Sequence, residues 1–244
     1  MVTPPRGGVR AVTFDLDFTL WDLTDVIRRA DERQYDFLAS VCPTVAERYR
    51  ADDLHALRMA VYEERPDLRH DVTALRIEVL RRLGAECGFD DEAGQRAFEI
   101  FLDARHEVTL YEDTIPLLDS LREHYVVGAM TNGNADVGRI GLSHHFDFAL
   151  SAIDVGAAKP DRIIFEAACH RAGVPAHQIV HVGDEPGSDV VGAARYGMVP
   201  VWLNRAREPW PADLEPVEHI ELDSLEALGA LLEDWRCAGH EPRV

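Results

Sequence analysis

Two aspartates separated by one residue, Asp15 and Asp17, close an apolar run in the stretch VTFDLDFTLWD, and Thr19 follows two positions later. Like charges repel at that spacing and desolvation penalises each carboxylate, so placing both at the end of a buried strand requires something that offsets them. A DxD pair alone also suits a turn or a helix cap. Three later segments change the reading. TNGN offers the Thr131 hydroxyl, the Asn132 side chain and backbone amides freed by Gly133, all donors suited to a phosphate oxygen. AAKPD carries Lys159, and GDEPGSD carries Asp184 and Asp189. These groups fall at successive strand ends, where a ligand would meet them together.

Lys159 is the single lysine among 25 basic residues, the rest being arginine. Arginine serves the surface, so a retained lysine points to a need for its geometry. A compact ammonium touches a carboxylate and a phosphate oxygen together where the planar guanidinium fork is too wide. The carboxylates Asp15, Asp17 and Asp184, with no His or Cys ligand cluster, predict a hard divalent ion, and Mg2+ combines one or two carboxylates with water and phosphate. Such an ion offsets the repulsion and leaves Asp15 ionised as a nucleophile toward phosphorus. Asp17 is then placed to protonate the leaving oxygen, and afterwards to take a proton from the water that hydrolyses the aspartyl phosphate.

The elements that position these residues follow from periodicity. Near-continuous apolar runs at residues 10–14 and in YVVGAMTNG, FDFALS, QIVHVGD and MVPVWLN alternate with the helical patterns TIPLLDSLREH, DRIIFEAACHRAG and SDVVGAARYG. Buried strands alternating with helices predict an α/β fold, a doubly wound (Rossmann-like) parallel sheet that binds ligands at its carboxyl edge. Past Arg205, IELDSLEALGALLEDW predicts a short strand and an amphipathic helix. Residues 22–108 break the rhythm, with four sets of apolar positions at helical spacing and no strand pattern. This predicts an all-helical, four-helix cap inserted after the first strand, with 1–21 and 109–244 forming the core.

A net charge of −19 opposes attraction to nucleic acid or an anionic membrane, so neither is expected as a partner. The chain shows neither an apolar leader nor a stretch near the roughly 20 apolar residues of a membrane span, and a cytoplasmic protein is expected. Cys42, Cys87, Cys169 and Cys237 lack CxxC spacing and read as reduced thiols. Oligomeric state is left open.

With its four segments in order, the chain from Val12 to Asn204 resembles the haloacid dehalogenase-like superfamily of phosphohydrolases. The resemblance implies Asp15 as nucleophile, Asp17 as general acid/base whose backbone carbonyl also binds Mg2+, Thr131 and Lys159 as phosphate holders, and Asp184 as a metal ligand supported by Asp189. The segments RHDVTALR, MTNGNADV and VHVGDEPGSDVVGAARYGMVPVWLN look like the bacterial branch that dephosphorylates FMN and 5-amino-6-(5-phospho-D-ribitylamino)uracil. Two departures stand out: Phe18 where Gly, Asn or Asp is usual, and the Pro186–Gly187 turn in the fourth segment.

A small phosphorylated metabolite is therefore the expected partner, with nucleoside 5′-monophosphates and phosphoglycolate as alternative substrates. For its recognition, Arg69 and His70 could face a polar tail and Trp21 could stack on a ring. Against these stand an N-cap role for Asp71, a surface role for His70 and core packing for Trp21. The other histidines, His144 and His145 among them, read as structural. A dehalogenase of the same fold is disfavoured, since halide displacement needs neither Asp17 as acid nor Asp184 as metal ligand. A phospho-receiver domain has no use for the helical insert, and a non-catalytic binding protein has none for the full set of reactive groups.

Overall fold

Ala11–Phe14 (β1) is a strand buried at every position, the first element of a computed structural model that describes residues 4–238. A two-residue strand, β2 (Trp21–Asp22), leads into five helices: α1 (Val26–Val41), α2 (Pro43–Arg48), α3 (Asp53–Glu64), α4 (Val72–Cys87) and α5 (Asp91–Arg105). The chain returns through β3 (Thr109–Leu110) and then alternates: α6 (Thr114–Leu121), β4 (Val126–Thr131), β5 (Phe148–Ser151), α7 (Ala152–Val155), α8 (Arg162–Ala172) and β6 (Ile179–Gly183). It ends with α9 (Gly192–Tyr196), β7 (Val199–Leu203), β8 (Ile220–Leu222) and α10 (Leu225–Ala238).

Two compact units result. One holds the residues up to Trp21, Leu110–Asn132 and Gly141 onward; the other holds Asp22–Thr109 and Gly133–Ile140. In the first, six strands form a sheet in the order β5-β4-β1-β6-β7-β8, parallel throughout. Every position of β1 and β6 is buried because flanking helices leave no wet face. Ile164, Phe165 and Ala168 of α8 pack on Met130, Phe148 and Ile179. The pattern SDVVGAARYG predicts one helix, but the segment divides: Pro186–Val191 forms a wide π-type turn before α9 begins.

The second unit carries five helices where four were expected. Pro43 is well placed at a first helical turn but cannot continue α1, so the chain stops at Cys42 and restarts as the six-residue α2. Leu38, Val45, Leu80, Phe98 and Phe101 form one core cluster, and Leu54, Val61, Leu75, Val79 and Leu83 a second. Between α1, α3 and α4, the Asp31 carboxylate takes Arg76 at 2.7 Å and Arg58 at 2.6 Å. Burial lowers the Arg76 guanidinium to about 10. Gly133–Ile140 joins this unit through Asp136 N, which donates to His106 Nε2 (2.9 Å), and Arg105 Nε, which donates to Asn134 Oδ1 (3.1 Å). All four cysteines are free thiols, and among the described residues no helix is long and apolar enough to cross a membrane.

Candidate active site

β1 lies between β4 and β6, and the chain adds strands first on one side of it and then on the other. Parallel sheets bind ligands outside the carboxyl ends of strands at such a reversal. Phe14, the last residue of β1, is in register with Ala129 and Val182, so Asp15, Thr131 and Asp184 all lie at that edge. Asp15 N continues the ladder, donating to Val182 O at 2.8 Å.

Lys159 occupies the middle of this edge, its side chain 1% exposed. Its ammonium donates to Asp15 Oδ1 at 2.6 Å, to Asp189 Oδ1 at 2.7 Å and to Met130 O at 2.8 Å. Three donors thus meet three acceptors. Asn132, expected to offer its amide to a phosphate, instead clamps the lysine backbone: Nδ2 donates to Lys159 O (2.9 Å) and Oδ1 accepts from Lys159 N (2.7 Å). A side chain engaged at both ends positions the lysine rather than the ligand. Thr131 ends β4 in a buried position, and Gly133 falls in the helical unit.

Asp189, expected as a support to the metal site, is 1% exposed and has both oxygens engaged. Oδ1 takes Lys159 and lies 3.3 Å from His181 Nε2, and Oδ2 accepts from Glu185 N at 3.1 Å. A Cβ on Gly183 would overlap this carboxylate, so only glycine lets the π-type turn bring Asp189 under the strand end. His181 is the residue that sequence reasoning passed over. It sits on β6 with its Nδ1 2.9 Å from Thr13 Oγ1.

The electrostatics separate the carboxylates. Burial lifts Asp15 well above the ordinary range; Lys159 opposes that, while Asp189 and Asp184 add to it. Burial acts the same way on Asp189, but Lys159 and His181 outweigh it and hold the group low, at about 2. Asp189 is therefore the fixed negative partner. Lys159 is held above its usual range because those two carboxylates outweigh burial. Asp184, pushed up to about 7 by burial and the Asp189 charge, accepts from Thr19 Oγ1 at 3.2 Å, and its carbonyl accepts from Trp202 Nε1 at 2.9 Å.

Asp17 is held from behind, since Trp21 Nε1 donates to its Oδ1 at 2.8 Å. Trp21 is fully buried, which removes the ring-stacking role considered for it and gives it the task of orienting Asp17. Arg69 and His70 lie in the helical unit. The Arg69 guanidinium sits 4.9 Å over the Tyr62 ring and donates to Glu63 at 3.3 Å. Asp71 caps α4, accepting from Ala74 N at 2.8 Å.

Oxygens of Asp15, Asp184 and Asp189 lie within 4.8 Å of one another, and Lys159 is the cation that faces them. Burial first, and neighbouring carboxylates second, raise Asp15 and Asp184, and the all-oxygen donor set suits a hard divalent cation. With Asp189 committed to Lys159, Asp15 and Asp184 are the side chains that fit such an ion.

The chain belongs to the haloacid dehalogenase-like hydrolase family, whose model matches residues 9–197, and it is therefore a hydrolase. It is 34% identical to the Escherichia coli 5-amino-6-(5-phospho-D-ribitylamino)uracil phosphatase YigB, over 93% of this chain and 98% of that one. It is 28% identical to (S)-2-haloacid dehalogenase 4A of Burkholderia cepacia, over 92% and 95%. Among solved structures, a 2-haloacid dehalogenase from Pseudomonas syringae pv. Tomato is similar with a TM-score of 0.85 and 38% identity, over 93% of this chain and 99% of the other.

Proposed function

We propose that the protein is an Mg2+-dependent phosphomonoesterase acting on a small phosphorylated metabolite through an aspartyl phosphate. The observation that carries this reading is Asp15 beside the buried Lys159 ammonium at 2.6 Å, with Asp184 close by and Asp17 oriented two residues on. Asp15 and Asp184 side chains and the Asp17 carbonyl would hold the ion, which when bound supplies charge neutralisation at the phosphate oxygens. An Asp15 oxygen attacks phosphorus; the bond to the ester oxygen breaks, and that oxygen takes the proton of Asp17. Asp17, now a carboxylate, removes a proton from water, which attacks the same phosphorus and breaks its bond to Asp15. Inorganic phosphate leaves and both aspartates return to their starting states. Lys159 holds Asp15 against rotation and lowers the charge that the phosphate must approach; the Thr131 hydroxyl is a donor for its oxygens. In this reading residues 22–108 are the specificity element, on the ground of their place after the first motif.

The similarity to YigB over nearly the whole of both chains favours 5-amino-6-(5-phospho-D-ribitylamino)uracil or FMN as substrate. A second reading, 2-haloacid dehalogenation, is favoured by the similarity to the Pseudomonas structure. It leaves Asp17 and Asp184 without a task, since halide departs without a proton. One experiment separates the two. FMN, the ribityl-pyrimidine phosphate, nucleoside monophosphates, phosphoglycolate and 2-chloropropionate are assayed with Mg2+ and with excess chelator. Phosphate release that disappears on chelation and returns with Mg2+ is expected. Full activity in chelator, or halide release without phosphate release, overturns the proposal.

A further inference from the structure

Among the buried titratable side chains that the chemistry above leaves unused, His181 is the one in contact with the site. His181 has no exposed side-chain surface, and its ring meets Phe165 edge-on at 5.7 Å. Both nitrogens have a partner, and one of the two is an acceptor only. Nε2 faces Asp189 Oδ1 at 3.3 Å, and Nδ1 faces Thr13 Oγ1 at 2.9 Å. Ionised Asp189 can only accept, so Nε2 carries the proton. Burial holds the imidazole below its ordinary pKa. The ring is therefore neutral, Nδ1 is bare, and the Thr13 hydroxyl donates to it. That hydroxyl's other acceptor, Val180 O, is more distant at 3.4 Å.

A directed chain results: Thr13 to His181, His181 to Asp189, and Asp189 to the Lys159 ammonium that also holds Asp15. Asp189 Oδ2 is fixed by the backbone of Glu185, and Oδ1 lies between the Lys159 ammonium and the imidazole, so the imidazole bears on the direction from which the ammonium is held. We propose that His181 is a positioning residue for the reaction: as its Nε2–H tautomer it fixes Asp189, and through it sets where Lys159 meets Asp15. The inference rests on the phosphatase reading and adds to it a residue that touches neither substrate nor metal. A displacement of about 1 Å in such an arrangement costs on the order of 100-fold in rate.

His181→Leu removes the donor, whereas His181→Gln returns an amide N–H to the reach of Asp189. With both variants showing parental near-UV circular dichroism, His181→Leu should lose at least about tenfold in kcat and His181→Gln should stay within about threefold of the parent. Introduced into Asp189→Asn, His181→Leu should change kcat by less than about twofold, because its route of action is already cut. A merely structural role predicts the opposite: Gln as damaging as Leu, and an undiminished effect in the Asp189→Asn background. Either result, or parental turnover in His181→Leu, overturns the proposal. Should His181→Leu fail to fold, nitrogen-15 spectra of the parent imidazole decide. A protonated Nε2 with bare Nδ1 at neutral pH supports the chain, and the Nδ1–H tautomer or an imidazolium overturns it. A parent that hydrolyses no phosphomonoester removes the functional reading itself. An active parent matched by His181→Leu removes this inference alone.

Discussion

Asp17 differs from the other site carboxylates in having its orientation fixed by a buried indole, Trp21 Nε1, at 2.8 Å. Asn at this position keeps an oxygen for that N–H and a backbone carbonyl, so Asp17→Asn isolates proton transfer from geometry. Turnover should fall by about 100-fold or more. Single-turnover phosphorylation by a nitrophenyl phosphate, whose leaving group needs no proton, should fall much less than with an alkyl phosphate. Equal losses for the two esters would remove the acid role. The next residue, Phe18, adopts φ 60° and is 41% exposed. Left-handed backbone costs a side chain with a Cβ roughly 1–2 kcal/mol, which explains why small or amide residues suit this turn. Phe18→Gly should leave stability within about 1 kcal/mol of the parent in urea denaturation, since relief of this strain is opposed by loss of the more than half of the ring residue that is covered. A larger fall in stability would show that the ring contributes more than the strain costs.

At the scale of elements, the loop holding Lys159 is bound to the end of β4 through Asn132 and Met130 O. This makes Lys159→Arg a demanding test. Three acceptors surround the ammonium in a site that is 1% exposed, so the larger guanidinium cannot satisfy its five donors there without displacing one of them. Activity should drop at least about tenfold, with overpacking lowering stability by about 1–3 kcal/mol. Near-parental turnover would make the chain's single lysine an accident of composition. The same elements show what sequence conveys. The strands of the large sheet were legible because burial writes a largely apolar run, with the reactive residues standing out where those runs stop, whereas β2 and β3, two residues each, are too short to write one. Asn132 and Asp189 were found, but their hydrogen bonds to Lys159 were not, because a side chain that supports a lysine has the same residue type as one that binds phosphate or metal. His181 was hidden inside the apolar run of β6, where a single histidine reads as core. The π-type turn keeps helical apolar spacing while shifting its hydrogen bonds, and Pro43 splits α1 from a helix too short to show a period. Trp21 gave no sign that its indole N–H, rather than its ring face, was in use.

At the scale of the whole molecule, Asp15, Asp184 and Asp189 are the acidic residues that meet at the sheet edge, where stability and metal binding can be read in one measurement. Asp184 keeps its proton to about pH 7 in the folded chain, but only to about pH 4 once unfolded. Between those values folding takes up a proton, so this carboxyl's contribution turns progressively more unfavourable as pH rises and is constant above the window. Asp15, also raised, acts in the same sense. His181, lowered by burial, acts in the opposite sense below about pH 6.5, and Asp189 matters only below about pH 4. The difference between the parent and Asp184→Asn cancels these shared terms to first order. In excess chelator the two proteins should unfold at similar urea concentrations at about pH 4, where Asp184 is largely neutral in the folded and the unfolded chain alike. At pH 8 the asparagine variant should be the more stable by on the order of 2–4 kcal/mol. Added Mg2+ should then stabilise the parent in proportion to the logarithm of its concentration and leave Asp184→Asn nearly unchanged. An equal difference at both pH values, or an equal response of both proteins to Mg2+, would separate Asp184 from the ion and leave its raised pKa a consequence of burial alone.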